Sequence, residues 1–413
     1  MKIGFDITEL YVAQAGVFYY RYHLLRALLQ LEPPNHEFCL IDYYPVHGGW
    51  LERPEVETLT APHARTYHVR GLRHRKLARL WFLQKPGLVQ VARGIDSVLS
   101  VSWGKLAQQV MANKLTDQLQ GVDIFHTSDV LSFAPPGIKT VTTIHDMTTL
   151  LFPEHHTQET IALQEEKFRF AREKADAIIA VSESTKRDIV RLLGIEPARI
   201  HVVYEGVDPA FCPLPAEVVA AGLAQYDLSP DGYILHVGTV EPRKNLVRLV
   251  QAYGAVWRQR PYATPPLVLA GATGWFFREV FDQIEKLGLT EQVKFIGRVD
   301  DADLPALYNG ALFLAYPSLY EGFGLPVLEA MACGTAVLTS NVSSLPEIVG
   351  QAGVYVEPGD VQSITDGLLL LLDDALLRRE LADKGLARAK DFTWQKAAEE
   401  TTAVYAHLIH EES

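Results

Sequence analysis

Cysteine is scarce: Cys39, Cys212 and Cys333 are the only three in a chain of 413 residues. Their scattered spacing offers neither a disulfide framework nor a thiolate metal site, and it fits a reducing, cytoplasmic setting. Long apolar runs are missing as well. None reaches the length of a membrane-crossing helix, and the five leucines at 368–372 stop at Asp373 and Asp374. The start, Met1 to Leu10, has a strand-like pattern and not the plan of a signal peptide. A formal net charge of −12 argues against general nucleic-acid binding. One stretch lacks acid altogether. From Thr58 to Ile95 there is no Asp or Glu, while Arg65, Arg70, Arg73, Arg75, Lys76, Arg79, Lys85 and Arg93 all fall inside. Leu77, Leu80 and Trp81 recur there at helical spacing, with Phe82 and Leu83 following. A basic segment with an apolar, aromatic edge points to an anionic membrane surface or an anionic acceptor met through residues 70–85.

What is present is a core. Apolar residues make up 48% and charged residues 21%, the balance of a folded globular chain, and 413 residues suffice for two or three domains. Apolar runs of strand length alternate with helical patterns, which implies βαβ units and parallel sheets. The first half reads as strands near Lys2–Ile7, Phe38–Tyr43, Ile124–His126, Thr140–His145 and Ala177–Val181, with helices over Tyr19–Gln30 and Ala162–Lys174. The second half reads as strands near Tyr233–Val237, Pro266–Ala270, Val293–Ile296, Ala311–Tyr316 and Ala336–Ser340. Val203 to Pro213, rich in Gly and Pro, reads as the linker between the halves. The last helical pattern, Trp394 to Ile409, follows a break at 391–393 and is expected to pack back on the first half.

The most informative nine residues are Glu321-Gly-Phe-Gly-Leu-Pro-Val-Leu-Glu329. Pro326 just inside a helix start and Gly334 just past its end mark a short buried helix after a glycine turn. The N–H groups of Phe323, Gly324 and Leu325 would then point out of the helix start, where an anion or sugar oxygens can be received. Glu321 and Glu329 flank that start. Carboxylates suit sugar hydroxyls rather than phosphate, so the pattern suggests a ligand carrying both groups. The apolar run 311–316 puts this loop at the C-terminal end of a parallel strand, where ligands of open α/β sheets bind.

Glu241-Pro-Arg-Lys-Asn245 leaves another strand end. Arg243 and Lys244 there can neutralise a diphosphate, one as a planar fork and one as a point charge, and Asn245 is placed to cap the next helix. His145 ends the strand Thr140–Ile144 and is a candidate partner for a sugar hydroxyl. His126 carries the same reading with less around it. Gly16, between the first strand and the helix at Tyr19, can bring backbone N–H groups to a diphosphate. Asp300, Asp301 and Asp303 read as acidic first-turn residues of a helix rather than as metal ligands.

With these residues assembled, the chain resembles the retaining glycosyltransferases of family 4, of the bacterial cell-surface polysaccharide type. The resemblance rests on Glu321 and Glu329 at their separation, with Glu241-Pro-Arg-Lys-Asn245 upstream. Thr143-Ile-His-Asp146, Ala180-Val-Ser182, Gly206-Val-Asp208 and Leu267-Val-Leu-Ala-Gly271 support it. It implies the GT-B architecture: an α/β chain with two Rossmann-like, doubly wound parallel-sheet domains facing a central cleft. The domains would be 1–205 on the acceptor side and 206–393 for the nucleotide sugar, with 394–413 a helix crossing back. Arg243 and Lys244 would hold the donor diphosphate, and Glu329 the ribose hydroxyls. Glu321 and the backbone of Phe323, Gly324 and Leu325 would hold the donor sugar, and His145 would reach it from the other domain. Gly16 would approach the phosphates, and Arg298 would lie by the base. No metal and no cofactor is expected. The loop Ala15-Gly-Val-Phe18 is less rich in glycine than the family's pattern, so the N-terminal phosphate contact is the part that departs from it.

The expected activity is transfer of a hexose from GDP-mannose or UDP-glucose, with retained configuration, to a hydroxyl of a growing saccharide. A lipid-linked acceptor, as in exopolysaccharide biosynthesis, is within this expectation, and the enzyme would work in the cytoplasm, peripheral on the inner face of the plasma membrane. Two alternatives share the architecture: a nucleotide-sugar epimerase, and a non-catalytic sugar-nucleotide-binding protein.

Overall fold

The computed structural model describes residues 1–12, 16–31, 36–44, 63–70, 119–129 and 134–410, with the isolated positions 56, 59, 116 and 117. Thirteen strands among these residues form two sheets. The first is seven-stranded, in the order β3-β2-β1-β4-β5-β6-β7: β1 Lys2–Asp6, β2 Glu37–Tyr44, β3 Ala64–Arg70, β4 Ile124–His126, β5 Lys139–Ile144, β6 Ala177–Ala180 and β7 Ile200–Val202. The second is six-stranded, in the order β10-β9-β8-β11-β12-β13: β8 Ile234–Val237, β9 Leu267–Ala270, β10 Val293–Gly297, β11 Phe313–Tyr316, β12 Val337–Ser340 and β13 Gly353–Val356. Every pairing within both is parallel. In each sheet the first strand lies between its second and its fourth. The strand order therefore reverses at β1/β4 and at β8/β11, the two places where a doubly wound sheet opens a crevice beyond its carboxyl ends.

The central strands are buried along their whole length, β8, β11 and β12 at every position. A parallel sheet covered by helices on both faces needs apolar side chains on both, which is why these segments read as continuous runs without alternation. The covering helices carry the matching stripe. In Leu246–Gln259 the residues Leu246, Leu249, Val250, Tyr253 and Val256 are buried, a 3.6-residue period. Each such side chain contributes roughly 1.5–3 kcal/mol by leaving water.

The C-terminal helix Trp394–His410 buries Trp394, Ala397, Ala398, Thr401, Val404, Tyr405 and Leu408 and packs back on the first domain. Trp394 stacks on His23 of the helix Gly16–Gln30 at 5.4 Å, and the Tyr405 hydroxyl lies 2.6 Å from His126 Nδ1. Just before that helix, Thr393 pairs with Val207 in an isolated bridge, so the chain's two crossings between domains run side by side.

Several sequence expectations need correction. β3 crosses the start of the acid-free stretch as an outer strand, while positions 71–85 lie outside the described residues. The helix expected at Tyr19 begins at Gly16, and the one expected at Ala162 begins at Gln158, where the Thr157 hydroxyl accepts the Thr160 N–H. β7 and β13 were not anticipated; three and four residues give too little pattern. Asp300 to Asp303 precede the helix Leu304–Gly310 rather than forming its first turn. Among the described residues no helix is long and apolar enough to cross a membrane.

Candidate active site

The loops after β8 and β11 flank the strand-order reversal of the second sheet and meet each other there. Arg243 Nη1 donates to Glu321 Oε2 at 2.5 Å and to the Tyr320 carbonyl at 3.1 Å, and its Nη2 donates to Glu241 Oε1 at 2.6 Å. Lys244 Nζ donates to Glu321 Oε1 at 2.8 Å and to the Tyr316 hydroxyl at 2.6 Å. All four charged side chains are largely withdrawn from water. Asn245 does not cap the following helix as expected. It has a left-handed backbone, and its Nδ2 donates to the carbonyls of Pro317 and Pro358, which ties the β8 loop to the loops after β11 and β13.

Gly324 opens the helix Leu325–Ala332 at φ +112°, a conformation that favours glycine. The carbonyls around it are all engaged from behind. Gly322 O accepts the Ser182 hydroxyl at 2.6 Å, and Phe323 O accepts the Ser344 hydroxyl at 2.6 Å. The N–H groups of Phe323, Gly324 and Leu325 donate to no protein acceptor among the described residues. The Phe323 ring turns into the core against Phe392 and Tyr204. Phe323 therefore offers its backbone alone to a ligand.

The two glutamates differ electrostatically. Burial pushes the Glu321 carboxyl up, but Arg243 and Lys244 overcome it and hold the group at about 2. Burial and the Arg243 charge together lower Lys244, against the pull of Glu321. Glu329 pairs with no cation among the described residues. Burial raises it to about 7, opposed by a 2.7 Å hydrogen bond from the Tyr308 hydroxyl. One carboxyl is thus held below the usual carboxylate range and the other above it.

The first domain closes on this surface. His145, one residue past β5, has Glu205 Oε1 3.5 Å from its Nδ1; Asp146, its sequence neighbour, instead accepts the backbone and hydroxyl of Thr148. The Tyr320 hydroxyl donates to Asp188 at 2.7 Å, and Trp275 Nε1 donates to the His155 carbonyl. Tyr19 reaches Asp301 Oδ1 at 2.5 Å, while Asp303 accepts the Tyr226 hydroxyl at 2.8 Å. Arg298 stands exposed one residue past β10, its charge felt at Tyr19 together with that of Glu329. Gly16 is exposed at the first turn of its helix, with open space where a Cβ would be. His126 is a core residue, held by Tyr405 on one nitrogen and Thr143 on the other at 2.9 Å, and it does not reach the cleft.

Two family models match the chain: residues 225–388 fit "Glycosyl transferases group 1" and residues 103–211 fit "Glycosyltransferase Family 4". The O-antigen chain mannosyltransferase B of Escherichia coli is 38% identical over 274 residues, which cover 65% of this chain and 71% of that protein. The chain belongs to glycosyltransferase family 4. This glycosyltransferase is also 33% identical over 275 residues to the serotype-specific mannosyltransferase WbdA of Escherichia coli, spanning 66% of its own length and 34% of that longer protein. Its fold is that of the GT-B glycosyltransferases. Anabaena HepE, solved with UDP and glucose, superposes with a TM-score of 0.70 over 98% of this chain and 99% of that one at 19% identity.

Sequence reasoning missed several residues that shape the site of the glycosyltransferase. Tyr316 and Tyr308 each hold one of the two glutamates by a hydroxyl, yet both sit in apolar runs and read as core. Glu205 gave no signal beyond its place in the linker. Ser182 did: it follows the run Ala180-Val181 and caps the helix Glu183–Leu193, and the same hydroxyl crosses to Gly322 O in the loop after β11.

Proposed function

We propose that the chain transfers mannose from GDP-mannose, with retention of configuration and without a metal, to a hydroxyl of a growing cell-surface saccharide. One arrangement carries this reading. Two buried cations and three backbone N–H groups converge on one strand-order reversal, beside two carboxylates. The cations and the helix start suit a diphosphate, Glu321 and Glu329 suit hydroxyls of the sugar and the ribose, and Arg298 and Asp301 border the place for the base. The mannose is supported by the relatives, which are mannosyltransferases of O-antigen and serotype-specific chains.

In this scheme the bond from the sugar's anomeric carbon to the diphosphate oxygen breaks while Arg243, Lys244 and the N–H groups take up the developing charge. The acceptor oxygen bonds to the same face, and its proton goes to the departing phosphate oxygen. His145 Nε2, which makes no hydrogen bond among the described residues, meets a hydroxyl of the donor sugar. The closed domains keep water from the anomeric carbon. A lipid-linked acceptor at an anionic membrane is part of the same reading and rests on the basic residues at 70–85.

The test is thermal stabilisation by GDP, UDP and ADP, each with and without EDTA, followed by product analysis with GDP-mannose and UDP-glucose. A ligand at 100 times its Kd adds about 2.7 kcal/mol. Selective stabilisation by GDP that survives EDTA is expected, and selection of UDP would transfer the reading to a glucosyl donor. Conversion of the donor sugar without an acceptor would point to an epimerase instead. Loss of the GDP effect with EDTA would end the metal-free scheme.

A further inference from the structure

The diphosphate reading assigns no part to Tyr316, the last residue of β11, although it is fully buried between two charged groups of the site, Lys244 and Glu321. Its hydroxyl accepts from Lys244 Nζ at 2.6 Å and donates to Glu321 Oε1 at 2.9 Å, while Lys244 itself spans the remaining 2.8 Å to the same oxygen. Nζ, the hydroxyl and Oε1 thus close a three-membered ring of hydrogen bonds. The ring of Tyr316 cannot swing away. His236 stacks on it at 5.4 Å and 16°, and is itself pinned by an Nδ1 to Ala315 O bond of 2.9 Å. The Tyr316 carbonyl is held by the Thr339 hydroxyl at 3.0 Å.

We propose that Tyr316 is a positioning residue that lets Lys244 pass from Glu321 to the donor diphosphate. The inference rests on the reading of Arg243 and Lys244 as diphosphate ligands. Glu321 is a buried carboxylate, and removing a buried ion's partner is costly because the charge is left uncompensated. A diphosphate that draws Lys244 away imposes that cost on Glu321. The Tyr316 proton already rests on Oε1 and stays there when Nζ leaves, while Arg243 Nη1 stays on Oε2. The carboxylate therefore keeps a donor on each oxygen, and Lys244 is free to turn. Nothing is oxidised and no covalent bond changes; one ammonium exchanges two acceptors for phosphate oxygens.

Tyr316→Phe keeps the ring and its stack and deletes only the hydroxyl. The decisive experiment is calorimetric titration with GDP and with UDP, on the wild type, Tyr316→Phe, Glu321→Gln, the double variant and Lys244→Ala. Tyr316→Phe is expected to weaken binding of the preferred nucleotide about tenfold, the worth of one hydrogen bond to a charged group. In the Glu321→Gln background, where no buried charge needs the hydroxyl, the same change is expected to cost less than about twofold, the limit of additivity between uncoupled sites. Equal weakening in both backgrounds would mean a merely structural tyrosine and would overturn the inference. Unchanged binding by Tyr316→Phe, with Lys244→Ala weakened, overturns the inference and leaves the diphosphate reading standing. Unchanged binding by Lys244→Ala, or none by the wild type, removes the reading and the inference with it.

Discussion

Gly322 and His145 meet backbone to backbone across the cleft, so closely that a Cβ on Gly322 would overlap the His145 carbonyl oxygen. The loop after β11 and the first domain are therefore in contact at the place where the proposed function brings sugar and acceptor together. Gly322→Ala has no left-handed backbone to strain and changes only this approach. It is expected to hold the domains apart and to lower kcat at least tenfold, with a smaller change in GDP affinity, since 1 Å of misplacement costs about 100-fold in such reactions. Steady-state kinetics beside GDP titration check it. Wild-type kcat in this variant would show that closure to backbone contact is not required.

Glu329 yields a prediction about pH. Its folded carboxyl, raised to about 7, holds a proton that the unfolded chain has already released near pH 4.5. Stability is thus fully present below pH 4.5 and is lost as pH rises through 7, by roughly 3 kcal/mol. Glu329→Gln removes the penalty. The variant is expected to melt higher than the wild type at pH 8 and at the same temperature at pH 4.5, while its nucleotide affinity is expected to fall, because the proposed ribose contact keeps only a neutral amide oxygen in place of a carboxylate. Parallel melting curves for the two proteins across that range would refute the assignment.

His126 acts in the opposite direction. Burial, with Arg21, Lys167 and His145 nearby, holds the imidazole well below its ordinary range, so the folded protein refuses a proton that the unfolded chain takes up near pH 6.5. The stability it contributes is present above pH 6.5 and falls by about 1.4 kcal/mol per pH unit below it. The melting temperature of His126→Gln is expected to decline less steeply from pH 7 to pH 5 than that of the wild type, and transfer activity at pH 7.5 is expected to persist. A selective loss of transfer without loss of stability would move His126 from the core to the chemistry.

Arg243→Lys tests the fork. Lysine keeps the charge but cannot reach Glu321, Glu241 and the Tyr320 carbonyl from one planar group, as Arg243 does. The kcat/KM for the donor is expected to fall at least tenfold and the melting temperature to drop, since one of the buried carboxylates of Glu241 and Glu321 loses its partner. Full activity would mean that only the charge matters there.

Much of this site was legible because a few residue types have few reasons to occur together. Glycine, proline and two glutamates around 321–329 announce a loop and a helix start, but not that burial and cations shift the two carboxyls in opposite directions. Strand ends were legible because fully buried parallel strands are plain apolar runs. Tertiary partners were not. Nothing in the pattern near Asn245 indicates that its amide serves two carbonyls from distant loops instead of a helix start. Nor does a tyrosine at the end of an apolar run announce that its ring is core and its hydroxyl is site. Short edge strands such as β7 and β13 carried too few residues to separate from loop.

The helix Trp394–His410 belongs to the first domain by packing and to the second by sequence. That arrangement bears on recombination between relatives. An exchange of first-domain halves at the linker alone would leave Tyr20, His23 and His126 facing a foreign helix in place of Trp394 and Tyr405. A chimaera that changes specificity must therefore splice at two places, and its incoming module is the first 200 or so residues together with the last 20.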